Sequence, residues 1–189
     1  MLSKVAVLVM VVIFAGCTYP AKSYDRHLRI YGDDYALPKT RMSAKYEIDK
    51  YTREYSYVES RGNLFLFPVT KFLDFGDILD KSLQAEYVKS AFYEFERSDH
   101  GDSGKYLIRF SLMDYGEYYS RVTINMLVEI YNPDNVRVHQ KLYTATKKPR
   151  HDLWFPEGKR FYYMSAIKAA VDQILTDLIY DINDRILTE

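Results

Sequence analysis

The chain has 189 residues with 26 basic and 26 acidic side chains, so its formal net charge is zero. This length suits one domain, or one domain behind a leader, and the 48% of hydrophobic residues argues against a wholly disordered chain. The single cysteine excludes an internal disulfide framework and a cysteine-based zinc or iron–sulfur site. A net charge of zero gives no indication of a nucleic-acid partner.

The first sixteen residues have the pattern of a bacterial secretion signal. Lys4 is their one charge, and an unbroken apolar run extends from Val5 to Ala15. A positive start followed by about 7–15 apolar residues is typical of a signal peptide and is too short for a comfortable membrane span. We therefore expect residues 1–16 to be removed from the mature protein.

The apolar run ends at Phe14-Ala15-Gly16-Cys17, where two small residues precede the only cysteine. This segment resembles the lipobox of bacterial lipoproteins, although Phe14 stands where Leu is usual. The resemblance implies cleavage between Gly16 and Cys17 and attachment of a diacylglycerol to the Cys17 thiol. Two or more acyl chains anchor a protein stably where one does not. An ordinary signal peptide, or an anchor helix with an incidental cysteine, is the alternative.

Residue 18 is Thr, whereas Asp at this place tends to retain enterobacterial lipoproteins in the inner membrane. The resemblance therefore implies a lipid-anchored protein of the outer membrane that faces the periplasm. The expected organisation is a signal peptide over 1–16, a lipidated tether over 17–42 and a single periplasmic domain over 43–189.

The first half of that domain contains two predicted strand segments and one predicted helix. Residues 43–60 alternate loosely and predict an edge strand or a hairpin, and the apolar run 64–69 predicts a strand buried on both faces. Asp77 is a suitable N-cap for a helix over 77–96. The apolar positions of this helix recur at three- and four-residue steps: Leu79, Leu83, Tyr87, Val88, Ala91, Phe92 and Phe95.

Three alternating segments follow, over 105–115, 118–131 and 136–146, with turns at Gly116-Glu117 and Asn132-Pro133-Asp134-Asn135. Alternation predicts antiparallel strands with one face toward water. The predicted inward residues of the last two strands are Val122, Ile124, Met126, Val128 and Ile130, then Val136, Val138 and Leu142.

A last amphipathic helix is predicted over 162–187, with Asp172, Asp177, Asp181 and Asp184 largely on its solvated side. The predicted fold class is α+β, a mainly antiparallel sheet with two helices on one face. The element order is β-α-β-β-β-α after an N-terminal hairpin.

No catalytic motif is present: there is no G-x-S-x-G, no H-E-x-x-H, no glycine-rich phosphate loop and no C-x-x-C. No two histidines share metal-ligand spacing. Helix capping explains the carboxylate pair Asp77/Asp80, and a solvated helix face explains Asp181/Asp184. The sequence therefore predicts no catalytic residue, no metal site and no cofactor, although a site assembled in three dimensions stays open.

The strongest candidate binding segment is the loop over 147–161. Basic groups interleaved with aromatic ones could meet lipid headgroups, a carbohydrate or a partner protein. Alternatively, the two central aromatic residues fold back to cap the core while the cations are solvated. The candidate residues of this loop are Lys147, Lys148, Arg150, Trp154, Phe155, Lys159 and Arg160.

Tyrosines along the meander are a second candidate, since tyrosine suits interfaces. Cross-strand packing within the sheet is the alternative. These tyrosines are Tyr115, Tyr118, Tyr119, Tyr131 and Tyr143.

Over residues 64–187 the order of elements resembles a set of small envelope lipoproteins. The resemblance rests on the apolar run 64–69, the predicted helix 77–96 and the segment 164–175. The chain is similar to the auxiliary lipoproteins of ABC-type and MCE lipid transport systems. In outline it is also similar to the lipopolysaccharide-assembly lipoprotein that plugs an outer-membrane barrel, and to YajG-like lipoproteins.

The resemblance implies a non-catalytic module, anchored to the membrane through acyl chains, that binds a protein partner or a lipid in an envelope transport or assembly machine. It implies no nucleic-acid partner. The alternatives are a structural lipoprotein that contacts peptidoglycan and an enzyme that acts on envelope polymers.

Overall fold

The computed structural model describes residues 37–61, 69–98, 104–119, 121–148 and 158–186. The elements in chain order are β1 Ser43–Ile48, α1 Lys50–Glu54, β2 Ser56–Arg61, β3 Val69–Asp74, α2 Phe75–Leu83, α3 Glu86–Lys89, β4 Glu94–Arg97, β5 Tyr106–Tyr118, β6 Arg121–Tyr131, β7 Arg137–Lys147, α4 Gly158–Asp181 and a π-helical turn at Ile182–Ile186. None of the helices within these ranges is long and apolar enough to span a bilayer.

The main sheet has five strands in the order β4-β1-β5-β6-β7, and β2 and β3 form a separate antiparallel pair. β1 runs parallel to both of its neighbours, whereas β5, β6 and β7 form an antiparallel meander. The α+β prediction is confirmed, with a sheet that is mixed. The predicted N-terminal hairpin is wrong, because β1 and β2 lie in different sheets.

The break between β1 and β2 is a short helix that the sequence pattern did not reveal. The Asp49 carboxylate caps α1 by accepting from the Thr52 backbone N–H at 2.9 Å and from the Thr52 hydroxyl at 2.8 Å. The fully buried Thr52 hydroxyl in turn accepts from the Leu112 N–H at 2.6 Å. Burial alone would raise the pKa of Asp49, but hydrogen bonds from Thr52, Ser111 and Tyr51 outweigh it and lower the pKa. The cap therefore fastens α1 to the middle of the sheet.

Helix α2 begins and ends earlier than predicted. Asp74, not Asp77, is its N-cap, since the Asp74 carboxylate accepts from the Asp77 N–H at 3.0 Å. The helix ends at Leu83, and the segment Glu94–Arg97, predicted as helix, forms strand β4 parallel to β1. The seven apolar residues of the predicted helix are nevertheless all buried.

Gly76 allows α1 and α2 to approach closely. A Cβ atom on Gly76 would lie 2.3 Å from the Arg53 carbonyl oxygen and 2.7 Å from the Arg53 Cα. Both are backbone atoms, so a side chain at this position would force the two helices apart.

The meander confirms the predicted inward face of β6 but not the predicted turn between β5 and β6. β5 continues through Gly116 and Glu117, and the chain reverses at Tyr119, whose φ is 45°. The predicted turn at Gly116-Glu117 is therefore wrong. The five predicted inward residues of β6 are completely buried.

The two longer helices, α2 and α4, lie on the buried side of the sheet. α4 crosses β6 and β7 and also contacts α2, and the Tyr46 hydroxyl on β1 donates to Asp80 of α2 at 3.0 Å. The apolar stripe of α4, continued by Ile182 in the π-helical turn, is buried: Ile167, Ala170, Val171, Ile174, Leu175, Leu178 and Ile182. Asp172, predicted on the solvated side, is instead buried.

Residues 37–42 lie against the body of the domain. The Thr40 N–H donates to the Ala91 carbonyl at 2.6 Å, and Met42 is buried. The strand predicted over 64–69 lies outside the described residues, apart from Val69 at the start of β3.

Candidate functional site

Strand β7 presents the opposite face from the one predicted. Tyr143 and Ala145 are buried, whereas Val136, Val138 and Leu142 are 57%, 45% and 53% exposed. The pairing of β6 with β7 shifts register between Ile130 and Tyr131, where the strand pair has an irregularity. Because one extra residue moves every later side chain to the other face, Leu142 points to solvent, whereas Val136 precedes the shift and lies ahead of β7.

Polar residues consequently occupy the inward face of β7, and α4 provides their partners. Lys141 Nζ and the Tyr143 hydroxyl both donate to Asp181 Oδ2, at 2.5 and 2.7 Å. Lys147 Nζ donates to Gln173 Oε1 at 3.1 Å, and Gln173 Nε2 donates to Asp177 Oδ1 at 2.8 Å. Gln173, Asp177 and Asp181 are each four residues apart on α4 and so form one polar stripe. This stripe fastens α4 along the margin of the sheet.

His139 extends this network at its far end. His139 Nε2 lies 3.2 Å from the Tyr143 hydroxyl oxygen, and Lys141 Nζ lies 4.7 Å from the centre of the Tyr143 ring. A cation over an aromatic face is favourable. Tyr143 therefore contacts a histidine, a lysine and a carboxylate through one ring and one hydroxyl.

A groove of about 410 Å³ opens beside this network, between the edge strand and the helix. Its walls are a short stretch of β7 and the last turn of α4, with Tyr180 half-exposed at the rim. The residues that line it are Lys141, Leu142, Tyr143, Thr144, Asp177, Tyr180 and Asp181. We take this groove, called the β7 groove below, as the candidate functional site.

A second polar cluster is closed to solvent. Lys168 and Asp172, four residues apart on α4, form an ion pair, and the Tyr87 hydroxyl donates to the same Asp172 oxygen. These three residues are only 2%, 6% and 6% exposed. Burial raises the pKa of Asp172, and Lys168 and Tyr87 oppose that rise. The cluster joins α3 to α4 and offers no surface to a ligand.

A depression of about 230 Å³ near the start of α2 is lined mainly by charged side chains. Arg97 Nη1 lies 3.7 Å from Asp80 Oδ2, and Lys81 forms a 2.9 Å ion pair with Asp77. Burial, and then the charge of Asp80, raise the pKa of Tyr46 to about 12. Within the part of the chain that the structure describes, no group of three or more His, Cys, Asp or Glu residues could hold a metal ion.

The structure describes only part of the predicted binding loop. Lys147 is held by Gln173 at the end of β7, and Lys148 is exposed just after it. Lys159 and Arg160 fall in the first turn of α4. The rest of the predicted site lies outside the described residues: Gly16, Cys17, Arg150, Trp154 and Phe155.

The tyrosines of the meander have different environments. Tyr143 is buried in the network of the β7 groove, whereas Tyr118 and Tyr119 are 75% and 82% exposed at the tip of the β5–β6 hairpin. Tyr115 packs against Tyr55, and Tyr131 lies under the Arg109 guanidinium. Cross-strand and ring packing therefore accounts for part of this set.

Asp181 and Tyr180 were not identified as site residues from the sequence. Asp181 looked like one of several solvated aspartates, and its partner Lys141 is 40 residues away along the chain. One feature could have indicated them: an 11-residue strand with lysines spaced among aromatic and β-branched residues, followed by a helix with two acids four residues apart, Asp177 and Asp181.

No protein-family model matches the chain, and no curated protein matches it. Among solved structures, the chain is similar to a Xanthomonas campestris protein of the DUF330 family. The two share 15% identity over 77% of this chain and 86% of that chain, with a TM-score of 0.48.

Two further solved structures have the same outline. A hypothetical protein of Chlamydia trachomatis shares 6% identity over 79% of this chain and all of its own length, with a TM-score of 0.43. A candidate lipoprotein of Caulobacter crescentus shares 11% identity over 77% of this chain and 90% of its own, also with a TM-score of 0.43. At these identities and TM-scores the likeness is one of outline and assigns neither a family nor a function.

Proposed function

We propose that this protein is a non-catalytic module, held at the outer membrane by acyl chains on Cys17, that faces the periplasm and binds a protein partner or a lipid. The observation that carries the proposal is the preformed β7 groove, at a sheet edge that pairs with no further strand among the described residues. The protein would act as an accessory subunit in an envelope transport or assembly machine. This proposed role follows that of the auxiliary lipoproteins of ABC-type and MCE systems, which the sequence resembles.

The state of the charged groups supports binding over catalysis. General acid–base catalysis needs a group that can exchange a proton with a substrate. In the β7 groove, Asp181 already accepts from both Lys141 and Tyr143. The buried pair of Lys168 and Asp172 is shielded from any substrate by its burial. Both arrangements stabilise the fold and leave the groove as a shaped surface.

The first experiment is an affinity purification of the natively lipidated protein after crosslinking in cells, with proteins and lipids identified by mass spectrometry. We expect an envelope permease, a barrel protein or an MCE-type subunit to be recovered, or a defined lipid. Recovery of muropeptides alone would contradict the proposal and favour a structural lipoprotein. Turnover of an envelope polymer by the purified protein would contradict the non-catalytic assignment.

Cys17→Ser tests the anchor. We expect the variant to remain as an unprocessed precursor and to incorporate no clickable fatty acid, because the thiol is the acceptor of the diacylglycerol. A matched Ser3→Cys/Cys17→Ser variant, in which the only thiol lies ahead of the apolar run, should also remain unlabelled. Fatty-acid labelling that survives in Cys17→Ser would contradict the lipoprotein assignment.

A further inference from the structure

The two edges of the main sheet are protected to different degrees. β4 has four residues, and its glutamates Glu94 and Glu96 both pair with Lys105, at 2.7 and 2.8 Å. A short, charged edge is how natural sheets avoid pairing with another chain. β7 has eleven residues and exposes Val138 and Leu142. Its far side pairs with no other strand among the described residues.

Arg137 is an exposed charge at the start of β7, but the charges of the 141–147 half do not protect the edge. Lys141 and Lys147 lie on the inward face and are fastened to α4. The alternate residues Leu142, Thr144 and Thr146 lie on the outward face and are exposed. An apolar or β-branched row of this kind is favourable for strand pairing. Within the part of the chain that the structure describes, no strand pairs with the outer backbone edge of β7 beside this row.

The β7 groove lies where a sixth strand would be placed. Strands in a sheet are separated by about 4.8 Å, and their side chains alternate between the two faces. A strand added beside β7 would run over the groove walls formed by Asp177, Tyr180 and Asp181. Every second side chain of that strand would enter the 410 Å³ space, and the others would lie beside Leu142.

The charges that line the groove restrict the occupant. Its lining contains one cation, Lys141, and two anions, Asp177 and Asp181. Lys141 is already paired with Asp181, so an anionic lipid headgroup would meet a surface of net negative charge. A neutral or weakly basic peptide is complementary to that charge.

We propose that β7 accepts a sixth strand from a protein partner, namely an extended, neutral or weakly basic segment whose alternate side chains fill the β7 groove. Strand addition gives affinity through backbone hydrogen bonds and specificity through the pockets for alternate side chains. The inference rests on the proposed function, since it specifies how that module would hold its partner.

The test uses the full-length, lipidated protein in cells, with a photocrosslinking amino acid at position 142 and a matched control at position 113. Leu142 and Met113 are 53% and 59% exposed, but Met113 lies on β5, two strands away from the edge. We expect position 142 alone to crosslink to an envelope protein. A crosslink to a lipid or to a second copy, or no crosslink, would overturn the proposal.

A synthetic peptide that spans the crosslinked residue then tests the mode of binding. We expect the peptide to slow amide hydrogen exchange across residues 137–147, because strand addition engages the backbone. Leu142→Lys should weaken peptide binding by about tenfold or more, equivalent to about 1.4 kcal/mol, whereas Met113→Lys should leave it unchanged. Binding without slower exchange in 137–147 would refute strand addition.

The outcome also separates this inference from the proposed function. If the Leu142→Lys variant still retains its partner in the affinity purification, strand addition at β7 is wrong, whereas the proposed function as a binding module stands. If the unmodified protein recovers neither a partner nor a lipid, the proposed function itself fails.

Discussion

Replacing Gly76 with alanine tests whether α1 and α2 touch through their backbones. The new Cβ would lie 2.3, 2.7 and 2.8 Å from the O, Cα and C atoms of Arg53, and overpacking in a well-packed interior costs about 1–3 kcal/mol. Three backbone contacts below 3.0 Å place this case at the upper end of that range. Alanine at a helical position recovers about 1 kcal/mol of helix propensity. The expected net loss in the free energy of unfolding is therefore about 2 kcal/mol.

The control is Gly116→Ala, because a Cβ on Gly116 meets no atom within 4 Å. Gly116 lies inside strand β5, where alanine is favoured over glycine by roughly 0.5–1 kcal/mol. Urea unfolding of the full-length protein in detergent, followed by circular dichroism, measures both variants. Gly76→Ala should also lower Tm by roughly 4–8 °C for a chain of this size. A Gly76→Ala variant as stable as the wild type would refute the close approach of the two helices.

Two further predictions concern buried charges. Lys168→Met should lower the free energy of unfolding by about 3 kcal/mol at neutral pH, because it leaves the buried Asp172 carboxylate without a cation. Adding Asp172→Leu should recover most of this loss. Equal urea midpoints for Lys168→Met and the wild type would contradict the ion pair. The pKa of Asp49 is lower in the folded chain than its ordinary value of 3.8. The charge of Asp49 therefore stabilises the fold at a pH above 3.8, and this stabilisation is lost as the pH falls through the folded-state pKa. Asp49→Asn should therefore be less stable than the wild type at pH 7, with the difference shrinking at about pH 3; a difference that grows in acid would contradict the cap.

The meander shows which parts of the sheet the sequence could predict. β6 is covered by strands on both sides and by α4 on one face, so burial alone decides its alternation and the prediction is confirmed. β7 is an edge strand whose inward residues include Lys141 and Tyr143. Their polar ends reach Asp181, and this partner cannot be located without the tertiary structure. A one-residue irregularity in the pairing then reverses the face that a simple alternation predicts.

The error over residues 77–96 has a different cause. The spacing of the apolar residues correctly predicted that they are buried. Spacing did not reveal that Leu83 ends one helix and that Phe95 belongs to a strand. A chain that leaves a helix, makes a short turn and enters the sheet can keep all its apolar residues inward. Burial periodicity therefore identified the core without identifying the backbone conformation.

The position of β1 has a consequence for the order in which the sheet assembles. β5, β6 and β7 pair with one another in the order in which they follow along the chain, so the meander can form from local contacts. β1 lies between β4 and β5, and its residue Ala44 pairs with both Phe95 and Tyr106. Those paired residues are 51 and 62 positions apart along the chain, and closing such long loops is slow compared with hairpin formation.

We therefore expect β1 to join the sheet after the transition state for folding. Substitutions in β1 should then accelerate unfolding, whereas substitutions in β6 should slow folding. β1, the first strand of the described part of the chain, would then be fixed in the sheet after β5, β6 and β7 have already paired.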